Sequence, residues 1–375
     1  MEQRSNSLRT WGFDRALNRR RLIATTATGL AVAGGSLMMA REGFAATVDP
    51  PSASPAASPD AGLPLGSAGN VTIYSGRSEG LVADLIDKFE RTTGIDAEVR
   101  YGNTAELAAQ ILEEGENSPA DVYFSQDAGA LGALAQQNLL APLAEDVLNR
   151  VDSRFRSPDG LWTGASARAR VLVYNTDLLL TTELPASVLD LVDPVWKGRV
   201  GWAPTNASFQ TFVTALRVLE GEDVARSWLE GMIANETVTF EGNGQIVAAV
   251  AAGELPTGLT NHYYLYEIQA EEGPQPIANY FFPAGDIGSL VNIAGAAVLK
   301  TAANATQANA FVDFLLSPVA QTYFAQQTAE YPLIADIPTV EGLTPLAEVR
   351  GPEIDLTNLA DLQGTLMLLT EVGLV

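Results

Sequence analysis

Cysteine is missing from this chain of 375 residues, and histidine occurs only once, at position 262. The absence of cysteine excludes disulfide bonds, thiol catalysis, a cysteine-bound zinc site and a lipid-modified N-terminal cysteine. Basic residues are also scarce, because 22 lysines and arginines stand against 45 acidic residues and give a formal net charge of −23. Nucleic acid is therefore not expected as a partner.

Motifs that would indicate an enzyme are missing as well. The sequence contains no Gly-x-Ser-x-Gly, no His-Glu-x-x-His and no phosphate-binding loop. A Ser-His-Asp triad would have to use His262, since the chain has no other histidine. We therefore predict that the protein is not an enzyme.

The N-terminus has the order of an export signal. Three arginines at 19–21 precede a mildly apolar run at 22–40, and small residues follow at 43–46. This pattern predicts a signal peptide over 1–46, and the paired arginines at the head of a diluted apolar run favour the twin-arginine type. An uncleaved membrane anchor is the alternative, although the run is weakly apolar for a span. The protein is thus expected to be exported, to the periplasm or the outer face of the cytoplasmic membrane.

Residues 47–69 are dominated by Pro, Ser, Ala and Gly, which predicts a flexible linker. The remaining chain exceeds the usual size of a single core, so two lobes are expected. Beyond the linker, short β-prone runs at 71–74, 96–100 and 121–124 alternate with helical stripes of apolar residues. Repeated βα units predict an α/β fold with a largely parallel sheet.

Six short strings then resemble one family in content and order. They occupy residues 73–77, 118–122, 168–175, 261–264, 295–300 and 329–333. In this respect the chain resembles the bacterial periplasmic ferric-ion-binding proteins, the solute-binding components of ABC iron uptake transporters with a transferrin-like two-lobed fold. The resemblance covers residue 70 to the C-terminus.

The resemblance implies a type II periplasmic binding protein in which two crossover strands, near 170–174 and 290–296, join two α/β lobes. Each lobe would be a mixed, mostly parallel sheet flanked by helices. The N-terminal lobe would contain 70–169 plus about 293–343, and the C-terminal lobe 170–292 plus about 344–375. It also implies a monomer that carries ferric ion in the interlobe cleft and docks on a membrane permease.

Tyr263 and Tyr264 resemble the family's paired tyrosine ligands for Fe(III). Ferric ion is a hard acceptor that suits anionic phenolate oxygens, and the bound metal must displace the phenolic protons. Neighbouring residues of a strand point to opposite faces, so the pair must lie at a bend or a strand end if both rings reach one metal. His262 is expected to be structural, or to support the ligands without binding the metal itself.

The sequence departs from the family pattern at two ligand positions. Ser78 replaces a histidine and Gln126 replaces a glutamate, and no substitute tyrosine occurs at 205–208. Two phenolates underfill a six-coordinate ion, so carbonate or a similar synergistic anion, or water, must complete the shell. Glu79 and Asp127 are reserve metal ligands. The residues expected to hold the anion or the ligands are Arg77, Ser78, Gln126, Arg168, Asn206, Ser208, Asn243 and Asn261.

The missing histidine and glutamate leave an alternative open. The same scaffold would then bind a small organic anion, a phosphonate or a polyamine without iron, and the tyrosines would be packing walls. A visible charge-transfer band from phenolate to iron distinguishes the two hypotheses.

Overall fold

The computed structural model describes residues 69–375, and every structural statement below concerns that part of the chain. The predicted signal peptide at 1–46 lies outside the described residues, as does the predicted linker except for Gly69, which begins the first strand. No described helix is long and apolar enough to cross a membrane.

The described residues form ten strands and eleven helices. The strands are β1 Gly69–Ser75, β2 Ile95–Tyr101, β3 Val122–Ser125, β4 Thr163–Asn175, β5 Val200–Trp202, β6 Val238–Thr239, β7 Thr257–Asn261, β8 Ile277–Tyr280, β9 Val291–Val298 and β10 Tyr331–Pro332. The helices are α1 Glu79–Thr93, α2 Thr104–Glu114, α3 Ala128–Gln136, α4 Glu145–Leu148, α5 Ala207–Glu220, α6 Glu222–Ala234, α7 Asn243–Ala251, α8 Tyr264–Glu272, α9 Ala305–Leu315, α10 Pro318–Gln327 and α11 Leu362–Glu371.

Local sequence accounts for where the first two helices begin and end. Helix α1 ends at Thr93, before Gly94, which takes the left-handed conformation (φ 70°) that glycine adopts without steric cost. Helix α2 begins after Asn103, whose side chain accepts from the backbone N–H groups of Ala105 and Glu106. The apolar stripe of α1 is buried, as its helical spacing predicts.

The strands are hydrogen-bonded in the order β2-β1-β3-β9-β4-β7-β5-β6, and β8 and β10 also pair with β4. The pairs β1–β2, β1–β3, β5–β6 and β5–β7 are parallel, whereas β4 and β9 run antiparallel to their neighbours. We call β1–β3, β9, β10 and helices α1–α3 the first lobe, and β5–β8 with helices α5–α8 the second lobe. The α/β architecture is therefore a mixed sheet flanked by helices, as predicted.

Strand β4 belongs to both lobes. Its residues up to Ala169 pair with β9, and from Arg170 onward it pairs with β7. Next to this change of partner, the backbone N–H of Arg170 donates to the carbonyl of Leu290, at 2.9 Å. Every residue of β4 is buried, so its polar side chains have to find partners inside the protein.

An aromatic cluster fixes the start of α5. Trp202, at the end of β5, packs edge-on against Phe209 with a centroid distance of 5.6 Å, and Trp228 of α6 contacts both Trp202 and Phe212. Asn206 caps the helix by accepting from the backbone N–H of Ser208, at 3.0 Å. The first turn of α5 thus lies beside Arg170, in the middle of β4.

The C-terminal tail, residues 351–375, contacts both lobes. At Gly129 of α3, in the first lobe, an added Cβ would lie 2.4 Å from the carbonyl oxygen of Leu359, so only glycine permits this approach. On the second lobe, the hydroxyls of Thr214 and Thr365 are 2.7 Å apart, which joins α5 to α11. The tail therefore ties α3 to α5.

Candidate metal centre

The two adjacent tyrosines lie where β7 ends and α8 begins. β7 ends at Asn261, Tyr263 adopts a helical conformation (φ −71°, ψ −23°) as the N-cap, and Tyr264 is the first helical residue. Because the chain turns here, the two rings lie on one side, with centroids 4.5 Å apart and planes tilted by 32°. The pair thus lies at a strand end, where the sequence requires it to lie if both rings are to reach one metal.

The tyrosines are partly buried among amides and a cation. Burial raises the pKa of Tyr264, and a neighbouring Tyr263 raises it further, while a hydrogen bond with Asn243 acts in the opposite direction. The side-chain amide of Asn261 donates to the Tyr263 hydroxyl, at 3.4 Å. The Tyr264 phenol is therefore expected to stay protonated until a cation displaces its proton.

Arg170, which the sequence reasoning missed as a site residue, lies beside the tyrosines. Its Nη1 donates to Asn261 Oδ1 at 3.3 Å and to Ser208 Oγ at 3.5 Å. Burial lowers its pKa to about 10, and the tyrosines oppose that shift. Arg170 still carries its charge at neutral pH, so it favours the phenolate forms. A signal was available, since Arg168 and Arg170 alternate as the only charged residues of β4.

Asn206, Ser208 and Asn243 form a polar cluster at the start of α5. Asn206 Oδ1 accepts from the Ser208 hydroxyl at 2.6 Å, and the Asn243 amide donates to Ser208 Oγ at 3.2 Å. Asn243 Oδ1 is buried without a hydrogen-bond partner among the described residues. The structure thus brings together Tyr263, Tyr264, Asn206, Ser208, Asn243 and Asn261 in the second lobe.

The first-lobe candidates lie in different surroundings. Arg77 is fully buried and forms a two-pronged ion pair with Glu330, at 2.9 and 2.6 Å. Its guanidinium is therefore already matched by a carboxylate, which the sequence reasoning did not anticipate. Ser78 and Glu79 are exposed at the start of α1, and the Ser78 side chain makes no capping hydrogen bond.

Gln126 and Asp127 follow β3 and are partly buried. Asp127 caps α3 by accepting from the backbone N–H of Ala130, at 3.1 Å. Burial raises the pKa of Asp127, and the charge of Arg168 partly offsets this effect. The Asp127 carboxylate thus serves as a helix cap. The described residues contain no group of three or more His, Asp or Glu side chains arranged to hold a metal.

His262 is neutral, and its ring connects two backbone segments. Its Nδ1 accepts from the backbone N–H of Ala169 at 3.1 Å, its Nε2 lies 2.9 Å from the carbonyl of Ala329, and its ring stacks on Tyr331. The Nε2–H tautomer satisfies both contacts. Since both ring nitrogens are engaged, the predicted structural role of His262 agrees with its position.

The buried, neutral ring of His262 predicts a loss of stability in mild acid. Burial lowers the pKa of folded His262 to about 4, against 6.5 for an ordinary histidine. Below pH 6.5 the histidine is therefore protonated in the unfolded chain but stays neutral in the folded protein. The free energy of unfolding falls as the pH falls and is about 3 kcal/mol lower near pH 4. Urea unfolding of the demetallated protein at about pH 7 and about pH 4.5 measures this.

The control for this prediction is His262→Gln, which removes the titrating group. Carboxylates such as Asp127 and Glu267, whose pKa values burial raises, contribute in the opposite direction in both proteins. The comparison of wild type with variant therefore isolates the histidine. Equal pH dependence in the two proteins would contradict the prediction.

Comparison with known proteins agrees with this architecture. Residues 117–348 match the model of a family described as bacterial extracellular solute-binding protein. An Fe(3+)-binding periplasmic protein of Serratia marcescens is 35% identical over 308 residues, which cover 81% of this chain and 90% of that protein.

Solved structures match along the same region. Iron-bound HitA from Pseudomonas aeruginosa superimposes with a TM-score of 0.76 and 36% identity, covering 81% of this chain and 99% of HitA. The Trichodesmium protein IdiA (FutA), solved with iron and citrate, gives a TM-score of 0.72 and 30% identity, covering 82% of this chain and all of that one (100%). The predicted two-lobed α/β fold is confirmed. The chain therefore belongs to the family of bacterial extracellular solute-binding proteins, a transport family and not a family of enzymes.

Proposed function

We propose that this chain binds ferric iron in the interlobe cleft through the phenolates of Tyr263 and Tyr264, with an exogenous anion completing the coordination shell. The observation that carries the proposal is the placement of two adjacent phenols on one side of the β7–α8 turn, with their rings 4.5 Å apart. The Serratia protein named for Fe(3+) binding and the iron-bound HitA support the choice of metal.

The surroundings of the phenols suit this chemistry. Ferric ion carries three positive charges and the two phenolates carry two negative charges, so the centre has one net positive charge beside Arg170. An anion such as carbonate removes that excess and supplies the missing oxygen ligands. The amides of Asn243 and Asn261 and the first turn of α5, capped by Asn206, offer donors for such an anion.

In this proposal the protein transports and does not turn over its ligand. The signal peptide exports the chain, the open cleft admits metal and anion, and the lobes close about β4 by the hinge motion common to periplasmic binding proteins. The closed monomer then docks on the permease of an ABC transporter. Protonation of the phenolates favours release.

Titration of the demetallated protein with ferric citrate, with and without bicarbonate, tests the proposal. We expect a purple-to-orange absorption band that saturates at about one equivalent of iron, because phenolate-to-iron charge transfer is coloured. A requirement for bicarbonate identifies the anion.

The second candidate, a small organic anion, a phosphonate or a polyamine bound without iron, is favoured by one observation. Serine and glutamine occupy the two positions, 78 and 126, where the resembled family has ligands, and Ser78 is exposed. If ferric ion produces no band and a phosphonate or a polyamine stabilises the protein instead, this second function replaces the first.

A further inference from the structure

The chain leaves the sheet at His262 by an exchange of hydrogen-bond partners. Ala169 of β4 faces His262 directly after the last ladder pair of β4 and β7, and in an antiparallel ladder such a pair exchanges two backbone bonds. One bond is present, since the backbone N–H of His262 donates to the carbonyl of Ala169 at 3.0 Å. The reciprocal bond is replaced, because the N–H of Ala169 donates at 3.1 Å to Nδ1 of the His262 ring. The carbonyl of His262 is thereby released from the sheet.

The released carbonyl is held by Asn279. The side-chain amide nitrogen of Asn279, in β8, donates to the carbonyl oxygen of His262 at 2.8 Å. This carbonyl belongs to the peptide that joins His262 to Tyr263, and Tyr263 then adopts the helical conformation at the start of α8. A backbone carbonyl that loses its sheet partner needs another donor, because an unpaired buried carbonyl is costly. The turn out of the sheet therefore depends on the amide of Asn279.

Asn279 is costly at this position apart from the bond that its nitrogen donates. Its Oδ1 is buried and has no hydrogen-bond partner among the described residues. A buried acceptor without a partner destabilises the fold, and an apolar side chain of similar shape would avoid this cost. The donated bond is therefore the feature that explains an amide at this position.

The exchange of partners decides how the two phenols are presented. Neighbouring side chains of a strand point to opposite faces, so a continued β7 would separate the two rings. Because the chain turns after His262, the rings of Tyr263 and Tyr264 lie on one side with centroids 4.5 Å apart. The ring of His262 also meets the ring of Tyr263 edge-on, with a centroid distance of 5.7 Å. The orientation of the peptide between His262 and Tyr263 thus determines the orientation of the phenols.

We propose that Asn279 is a positioning residue for the ferric site, which acts through the carbonyl of His262 on the phenols of Tyr263 and Tyr264. It supplies no ligand atom and acts only by fixing the peptide that precedes the first tyrosine. This inference rests on the proposed function, because the relative placement of the phenols affects binding only if both hold one metal. Loss of the donor changes the geometry of the ligand pair and leaves both ligands in the chain.

Crystal structures of the demetallated wild type, Asn279→Leu and Asn279→Asp test the positioning role without iron. Leucine removes the donor, and an ionised aspartate keeps the shape but presents only acceptors to the carbonyl. In both variants the carbonyl of His262 is expected to turn back toward the N–H of Ala169, and the two tyrosine rings are expected to move apart. Ring positions that match the wild type in both variants would overturn the proposal.

Ferric titration of the same variants tests the consequence for the metal. Both are expected to bind ferric ion at least about 10-fold more weakly than the wild type, as is typical when an outer partner of a metal ligand is lost. The charge-transfer band should also shift in wavelength, because the phenolates meet the metal at a different angle. Asn175→Leu is the matched control, since the side-chain amide of Asn175 donates to the carbonyl of Val250, also at 2.8 Å, at the opposite end of α7 from Asn243. It should lose stability and keep the wavelength of the wild-type band.

These measurements separate the positioning role from the proposed function. If the wild type gives no ferric band, the proposed function fails and with it a role at iron, whereas the iron-free structures still decide whether Asn279 sets the turn. If the wild type gives the band and both Asn279 variants match its wavelength and affinity, the positioning role is refuted and ligation by the phenolates stands. An equal loss of affinity in Asn279→Leu and Asn175→Leu, without a shift of the band, would also refute it, because loss of stability alone would then explain the result.

Discussion

Replacement of Tyr263 and Tyr264 by phenylalanine is expected to abolish the ferric charge-transfer band when both are changed. Each single substitution should weaken ferric binding by more than about 100-fold, since even the outer partners of metal ligands typically contribute roughly 10–100-fold. The rings and their packing remain, so the fold is retained and only the oxygen ligands are lost. Absorption titration with ferric citrate, combined with competition by a chelator of known affinity, gives both quantities.

Tyr266→Phe is the matched control. Tyr266 lies on the same helix, and its hydroxyl donates to the carbonyl of Gly342 at 3.0 Å, away from the paired tyrosines. This variant should keep the band and the affinity of the wild type. A double variant that still bound iron with wild-type affinity and colour would refute ligation by the phenolates.

Glu330→Ala is expected to lower the free energy of unfolding by about 3–5 kcal/mol, because it leaves the guanidinium of Arg77 buried without a carboxylate. Both side chains are almost inaccessible, at 0% and 3% exposure, and the shorter contact is 2.6 Å. Burial alone would raise the pKa of Glu330, but the charge and hydrogen bonds of Arg77 outweigh it and hold the pKa below its usual value. The contribution of this carboxylate is therefore present above its unfolded pKa and is lost as the pH falls below it.

Two further variants separate the ion pair from simple loss of packing. Arg77→Met/Glu330→Leu removes both charges together and should be less destabilised than Glu330→Ala, since no unpaired charge remains. Asp152→Ala breaks the exposed pair with Arg154, at 3.1 Å, and should cost no more than about 1 kcal/mol. Chemical denaturation measures all three, and a Glu330→Ala variant as stable as Asp152→Ala would contradict the prediction.

The local pattern predicted the elements better than it predicted the site. The stripe of α1 and the alternation of strands and helices follow from side-chain periodicity, which is encoded within a few residues. The bend at Tyr263 followed from local geometry only after the family resemblance had assigned both tyrosines to one metal, because two neighbouring side chains cannot share one face of a strand. The helices and strands therefore needed no knowledge of distant parts of the chain, whereas the bend needed the resemblance as well.

The contacts that surround the tyrosines depend on residues far apart in sequence. The partner of Arg77 is Glu330, 253 positions away, and no periodicity indicates such a pairing. Likewise, the sequence shows Arg170 only as one of several residues in a buried strand, and it is the fold that places it between Asn261 and Ser208. Ser78 and Gln126 could be identified as departures from a family pattern, but their surroundings required coordinates.

Because both ring nitrogens of His262 are hydrogen-bonded, this residue also affects which metals the cleft would select. Zinc, copper and nickel bind most tightly to imidazole and thiolate, and this chain has no cysteine and only one imidazole, which is already held by two backbone groups. A metal entering beside the tyrosines meets oxygen donors and amides. Selectivity for ferric ion would therefore arise because the site lacks free imidazole and thiolate ligands. Trace copper or zinc would then be poor competitors for a hard trivalent ion.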